Sequence, residues 1–318
     1  MLGHHVPTIR IVFFGTPAFA VPSLERLVAE PDFEIAFVVT QPDRPAGRGR
    51  QLRPSPVKQR ALELGLPVLQ PETPRDPDFL NCLREAEPTV GVVVAYGELI
   101  PRTLLDLPAH GFLNVHPSLL PKYRGASPIQ AAILNCDPVT GVSIILLTPE
   151  LDAGPILRQV TVAIRPDDTA ATLGERLAMM AADLLPDTIR QWVAGNLVPT
   201  PQDERYATYT RPLRKEDGRI DWTRSAEEIE RQVRAMQPWP GAWTTIAGRS
   251  LRIVRAHVVE TPLALPPGCL TATREALLVA TGRGALALEI VHPEGKQAMP
   301  GLDWWRGLRL EPGVCFDG

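Results

Sequence analysis

The 318-residue chain carries 33 Lys and Arg against 36 Asp and Glu and is 44% hydrophobic and 22% charged, a composition that excludes disordered, collagen-like and coiled-coil proteins. No apolar run approaches the ~18 residues of a membrane span; the first, Ile11 to Phe14, is too short for a signal peptide and runs straight into Gly15-Thr16-Pro17, so a cytoplasmic protein is expected. Cys82, Cys136, Cys269 and Cys315 stand far apart with no CxxC pair, so the expectation is reduced thiols, with neither a disulfide framework nor a zinc site.

Ile9 to Phe14 is a β-branched and aromatic run that predicts a strand, and Pro22 to Ala29 spaces Leu24, Leu27 and Val28 as an amphipathic helix does. Glu34 to Thr40, Thr89 to Ala95, Gly111 to Val115 and Gly141 to Leu147 are four more apolar runs, with helical stretches or long loops between several of them. Near-continuous apolar strands separated by helices predict a mainly parallel α/β sheet. A long helix is predicted from Asp168, with a capping box from Thr172 to Glu175, a stripe of Leu173, Leu177, Met180 and Leu184, and a kink at Pro186. Gly195 to Arg205 is polar and proline-bearing, as a linker is. Ser225 and Glu228 form the next capping box, opening a short helix on Ile229, Val233 and Met236. Alternating runs at Trp243 to Ile246, Leu251 to Val259, Ala276 to Ala280 and Leu286 to Val291, punctuated by glycines, then predict a small β-barrel with Trp222, Trp239 and Trp243 in its core. Residues 1 to 204 hold 17 basic and 23 acidic groups, residues 205 to 318 hold 16 and 13. The excess in the second part would suit a polyanion, but it is small, and a solvated mixed surface is the preferred reading.

Three segments carry candidate chemistry. Asn114 and His116 are two apart, so in an extended chain both side chains point to one side, and Pro117 delays any helix. That places them beyond the carboxyl end of a strand, where open α/β sheets bind ligands. An amide N–H and an imidazole aimed at one point suit a carbonyl oxygen that gains charge; the alternative is a hydrogen-bonded turn. Asp152, in Leu-Asp-Ala-Gly-Pro, could reach that histidine, or simply make a turn. Residues 42 to 60 contain Arg44, Arg48, Arg50, Arg53, Lys58 and Arg60 against Asp43 alone, and prolines and glycines predict irregular backbone. Such a loop either grips phosphates or is merely solvated. The Gly15-Thr16-Pro17 turn lacks the spacing of a dinucleotide fingerprint.

Taken together, FFGTPAFAVPSL at 13 to 24, VVTQPDRPAGRGRQLRPSPVKQ at 38 to 59, VVVAYGELIP at 92 to 101, NVHPSLLPKYRGASPIQ at 114 to 130, ELDAGPIL at 150 to 157, YTRPLRKEDGRIDW at 209 to 222 and QPWPGAWT at 237 to 244 resemble the methionyl-tRNA formyltransferases, within the 10-formyltetrahydrofolate-dependent formyltransferases. The resemblance implies a Rossmann-like formyltransferase domain over residues 1–194, a linker at 195–208 and an OB-like, tRNA-binding barrel over 209–318. It implies a catalytic trio of Asn114, His116 and Asp152. Ser118, Leu119, Leu120 and Pro121 would line the folate site, with Val94, Ala95, Tyr96 and Gly97 near the pterin. Arg44, Arg48, Arg50, Arg53 and Lys58 would contact initiator methionyl-tRNA. 10-Formyltetrahydrofolate would be the formyl donor, with no metal and no membrane, and the chain would act as a monomer. Two departures touch the Asp152 loop: Glu150 stands where many members have glycine, and Pro155 where an acidic residue is frequent. Formyltransferases acting on glycinamide ribonucleotide or an amino sugar nucleotide share the trio, but the cationic loop and the barrel are superfluous for a small substrate. A non-catalytic RNA-binding protein would have no use for an intact trio. A folate hydrolase or dehydrogenase would bring a cysteine nucleophile or a further domain.

Overall fold

The computed structural model describes residues 8–46, 51–260, 263–308 and 313–317. The chain divides into two compact units: Met1–Gly125, Thr140–Val162 and Gly174–Tyr209 form the first, and Ala126–Val139, Ala163–Leu173 and Thr210–Gly318 the second. The elements run β1 (Ile9–Gly15), α1 (Val21–Val28), β2 (Phe33–Val39), β3 (Arg44–Ala46), β4 (Gln51–Arg53), α2 (Pro56–Glu63), β5 (Val68–Leu69), α3 (Pro77–Glu85), β6 (Val90–Val94), α4 (Arg102–Leu105), β7 (Phe112–His116), β8 (Arg124–Gly125), α5 (Pro128–Leu134), β9 (Val139–Leu146), β10 (Ile156–Ala163) and α6 (Ala170–Val193).

Seven strands make one sheet in the order β10-β9-β7-β6-β1-β2-β5. The five strands from β7 to β5 pair in parallel, and β9 runs antiparallel to β7. This is the mainly parallel sheet expected from the apolar runs. Residues 11–15 of β1 and all of β6 and β7 are buried, as strands covered on both faces must be. On one side Phe14 meets Phe79, Tyr96 and Phe112 edge to face, with ring centroids 6.3, 5.2 and 5.4 Å away. Gly91 is what lets β6 lie against that cluster: a Cβ there would sit 2.2 Å from the Phe112 ring. From Arg158 onward strand β10 alternates half-buried and exposed residues at the sheet edge, so no apolar run marks it in the sequence.

Two local expectations change. The cationic segment is not irregular throughout: β3 and β4 form an antiparallel ribbon that puts Arg44 opposite Arg53. The long helix starts at Ala170 and is capped by Thr169, whose Oγ1 accepts from the Thr172 N–H at 3.2 Å; there is no cap at Thr172. A threonine directly before the first helical residue satisfies one of the free N–H groups of the first turn, so the cap sits there rather than further in.

The second unit holds α7 (Ala226–Ala235), β12 (Ala242–Ile246), β13 (Arg249–Val259), β14 (Leu270–Ala272), β15 (Leu277–Ala280), β16 (Ala285–Pro293), β17 (Met299–Pro300) and α8 (Gly301–Leu308), with β11 (Tyr209–Thr210) leading into it. The capping box of Ser225 and Glu228 opens α7, and Ile229 and Val233 on its buried face join Leu251, Ile253, Leu286 and Trp222 in one core. The sheet order is β12-β13-β16-β15-β14, with β17 on β16. Residues 313–317 bridge its two edges: Leu270 N–H donates to the Val314 carbonyl and Phe316 N–H to that of Gly268, while Asp317 N–H donates to Thr245. The tail thereby closes the antiparallel sheet on itself. Trp222 stacks on Phe316 at 5.0 Å.

That closure overturns the expectation of reduced thiols, because Cys269 and Cys315 pair across it as a disulfide 46 residues apart in sequence. Their separation along the chain said nothing about the strand pairing that brings them together. Cys82 and Cys136 are free. Trp239 is also not core: it is 55% exposed, whereas Trp222 is buried and Trp243 is partly so.

Candidate active site

Asn114 and His116 lie within β7 rather than beyond it, buried and two residues apart, so the pleat turns both to the same face. Asn114 pairs with Val93 on one side and Ile145 on the other, which leaves its backbone no freedom. Asp152 comes from the loop between β9 and β10. Its Oδ1 accepts from Asn114 Nδ2 at 3.3 Å, its Oδ2 accepts from the Gly125 N–H at 2.8 Å, and Oδ2 stands 3.6 Å from His116 Nδ1. The three side chains singled out in the sequence therefore meet at one point.

The imidazole's tautomer follows from its partners. His116 Nε2 is 2.8 Å from the Tyr123 carbonyl. A carbonyl only accepts, so Nε2 carries the proton and the neutral ring leaves an Nδ1 lone pair toward Asp152. Burial pushes the His116 pKa below its ordinary value, against the opposing influence of the Asp152 carboxylate and the Tyr123 carbonyl. The nearby Asp152 carboxylate therefore does not keep the histidine charged in the resting site, because desolvation dominates. Two acceptors then face each other across 3.6 Å, which is too long for a hydrogen bond and suited to a group that carries N–H.

The loop carrying Asp152 is held on every side. Asp152 itself has φ 48°, and a Cβ at Gly154 would meet the Leu146 carbonyl oxygen at 1.8 Å. Gln202 Nε2 donates to the carbonyls of Asp152 and Gly154, each at 2.7 Å. Gln202 has no counterpart in the motifs of the sequence; it stands in the polar stretch that resembles a linker, where no spacing marks it. Thr200 is likewise paired with Ile156 through backbone hydrogen bonds in both directions.

Ser118 to Pro121 continue directly from β7. Ser118 Oγ donates to the Lys122 carbonyl, Ser143 Oγ donates to the Ser118 carbonyl and accepts from Leu120 N–H, and Gln159 donates to the Leu120 carbonyl. Leu119 stays half-buried. Val94 to Gly97 follow the adjacent β6: Val94 and Tyr96 are buried, and Ala95 and Gly97 are exposed with φ 50° and 95°. Tyr96 has its phenol pushed up to about 12 by burial, with Glu98 adding to it. Thr16 Oγ1 donates to the Tyr96 carbonyl and accepts from Gln41 N–H, which joins the carboxyl ends of β1, β2 and β6. The Tyr96 hydroxyl and the Gln41 side-chain nitrogen are buried and have no hydrogen-bond partner among the described residues. Unsatisfied donors at the ends of parallel strands suit a flat heterocycle carrying its own donors and acceptors.

The cationic residues are differently disposed. Arg44 donates to Gln41 Oε1, Arg53 is exposed across from it, and Lys58 Nζ is held at 2.6 Å by both Asp43 and Gln70. Arg48 and Arg50 lie outside the described residues. Among the described residues no helix is long and apolar enough to cross a membrane.

Known proteins share these features. The formyl transferase family model matches residues 9–189, and the model for the formyl transferase C-terminal domain matches residues 212–309. A methionyl-tRNA formyltransferase from Roseiflexus sp. (strain RS-1) is 51% identical over 306 residues, covering 96% of this chain and 94% of its own. One from Streptomyces coelicolor is 46% identical over 305 residues, covering 96% and 98%. Among solved structures, an N-formyltransferase from Helicobacter canadensis in complex with folinic acid and dTDP-3-aminofucose superimposes with a TM-score of 0.66 at 17% identity, over 92% of this chain and 100% of its own. At that identity the likeness speaks for the fold.

Proposed function

The chain belongs to the formyltransferase family, and from that premise we infer how its residues carry out the reaction. It transfers the formyl group of 10-formyltetrahydrofolate to the α-amino group of methionine on initiator methionyl-tRNA. The single observation that carries the residue assignment is the meeting of Asn114, His116 and Asp152, with Asp152 bonded to the first and 3.6 Å from the second.

In this reading the donor supplies an activated formyl carbon. Gln41, Tyr96, Val94 to Gly97 and Ser118 to Pro121 receive its heterocycle at the ends of β2, β6 and β7. His116 enters the reaction neutral, and its Nδ1 accepts the proton that the amine loses as it attacks; as the bond from the formyl carbon to N10 breaks, the imidazolium gives that proton to N10 and tetrahydrofolate leaves. Asp152 faces the imidazolium so formed and stabilises it. Asn114 has a second N–H beyond the one it gives Asp152, and that dipole is aimed at the formyl oxygen as it gains charge. Burial of Asn114 and His116 keeps water out, so the formyl group passes to the amine rather than being hydrolysed.

Residues 1–194 are the catalytic part in this proposal, residues 195–208 the connection, and residues 209–318 the tRNA-binding part. Arg44, Arg48, Arg50, Arg53 and Lys58 contact the tRNA. The chain acts as a monomer in the cytoplasm, where charged initiator tRNA is used. The test is direct: purified protein is incubated with formyl-labelled 10-formyltetrahydrofolate and charged initiator tRNA, charged elongator tRNA or free methionine. Label appears on the first alone; label on free methionine, or on none of them, rejects the reading.

A further inference from the structure

We propose that Gln202 is the positioning residue for Asp152, acting through the backbone of the 152–154 loop and itself oriented by the buried guanidinium of Arg124. The proposal rests on the role given to Asp152 above.

Asp152 occupies the left-handed region at φ 48°, a conformation that is costly for a non-glycine residue and persists only where the surroundings impose it. The Gly125 N–H fixes the carboxylate but not the backbone that carries it. Gln202 fixes the backbone: one amide group donates to the carbonyls on both sides of Ala153. Those bonds demand that its nitrogen face the loop and its oxygen face away. The oxygen's partner is Arg124, whose Nε and Nη2 donate to Oε1 at 3.1 and 2.9 Å. A guanidinium has no acceptor, so the amide cannot flip. Arg124 is 1% exposed and is held in turn by both carboxylate oxygens of Glu204, at 3.0 and 2.7 Å, and by the Tyr209 hydroxyl. A fork bonded at both ends transmits orientation well, which a lysine could not do. Arg124 also directly precedes Gly125, so the residue that orients Gln202 is covalently joined to the one that anchors the carboxylate. Two short segments, 124–125 and 202–204, thus fix both the backbone and the side chain of Asp152.

The test compares wild type, Gln202→Met, Gln202→Glu and Asp152→Asn. Gln202→Met keeps length and neutrality but removes every hydrogen bond; Gln202→Glu keeps an acceptor for Arg124, so the unit retains that link, and replaces the donation to the loop by a carboxylate oxygen that repels both carbonyls. Both are expected to lower kcat about 10- to 100-fold, the loss that an ångström of misplacement brings, with KM for charged tRNA nearly unchanged. A second readout does not depend on turnover: the His116 imidazole is titrated by NMR. Asp152 and the Tyr123 carbonyl are the groups that face this ring. Drift of the carboxylate away from Nδ1 lowers the His116 midpoint, so Gln202→Met should shift in the same direction as Asp152→Asn. Wild-type kcat in both Gln202 variants, or a wild-type His116 titration in Gln202→Met, overturns the proposal. If wild type itself fails to formylate charged tRNA, the functional reading falls, while the titration still reports whether Gln202 places Asp152.

Discussion

Oδ2 of Asp152 lies 3.6 Å from Nδ1 of His116 while accepting from the Gly125 N–H at 2.8 Å, so the carboxylate is anchored from behind and faces the ring without bonding to it. An open gap of this kind is what a proton-transfer site needs before its substrate arrives.

Asp152→Asn and His116→Ala should each lower kcat by about 100- to 10,000-fold, the usual contribution of a placed proton-transfer group. The KM for charged tRNA should change little, because these groups act on the transition state. Steady-state formylation and an independent tRNA-binding measurement check this; near-wild-type turnover by either variant removes the assignment.

The pH profile should follow from the buried imidazole. His116 has its pKa lowered in the folded state, so above the unfolded value of about 6.5 both states are neutral and it costs nothing. As pH falls below that value the unfolded chain takes up the proton first, and stability declines through the window down to the folded pKa. Activity should fall on the same acid side, with an apparent pKa below 6.5. Replacing Asp152 by Asn removes the charge that raises the histidine, so the acid limb of any residual activity should move lower still. An acid limb that stays in place, or moves up, contradicts this electrostatic account.

The arginines facing each other on the β3–β4 ribbon should act on tRNA alone. Like charges directly opposite repel across a ribbon, and an anionic strand would relieve that repulsion. Arg44→Ala and Arg53→Ala should each raise the KM for tRNA and reduce the slope of log affinity against log salt by about 0.9 if one phosphate contact is lost. The KM for the folate donor is the control, and it should stay constant. An unchanged salt slope in both variants argues against the ribbon as a phosphate contact.

Breaking the Cys269–Cys315 bridge should cost the second unit about 2–4 kcal/mol, the range found for bridges closing loops of this size. Thermal unfolding of wild type should shift down on adding reductant, and Cys315→Ser should unfold at that lower temperature with or without it. Identical wild-type midpoints in both conditions would show that the bridge contributes nothing.

Much of this molecule is written plainly in its residues, for reasons that can be named. The buried strands β1, β2, β6, β7 and β9 stand out because burial on two faces demands continuous apolar runs. The Ser225 cap is explicit because capping needs particular side chains at fixed spacing. Edge strand β10 has no such run, and the ribbon hides behind prolines and glycines. Asn114 and His116 share a strand, so their convergence follows from a two-residue period, whereas the grip of Gln202 on the Asp152 loop joins positions fifty residues apart that no local pattern links. The disulfide escaped for the same reason, since its partners meet only when the tail at 313–317 docks.

That docking also dictates an order of events at the ribosome. Residues 313–317 follow every strand they join, so β12 leaves the exit tunnel with the Thr245 carbonyl on its outer edge unclaimed, and β14 waits for the same segment. An unclaimed strand edge recruits other chains. The nascent sheet is therefore most vulnerable to aggregation in the interval before residues 313–317 dock, and their deletion would make that interval permanent.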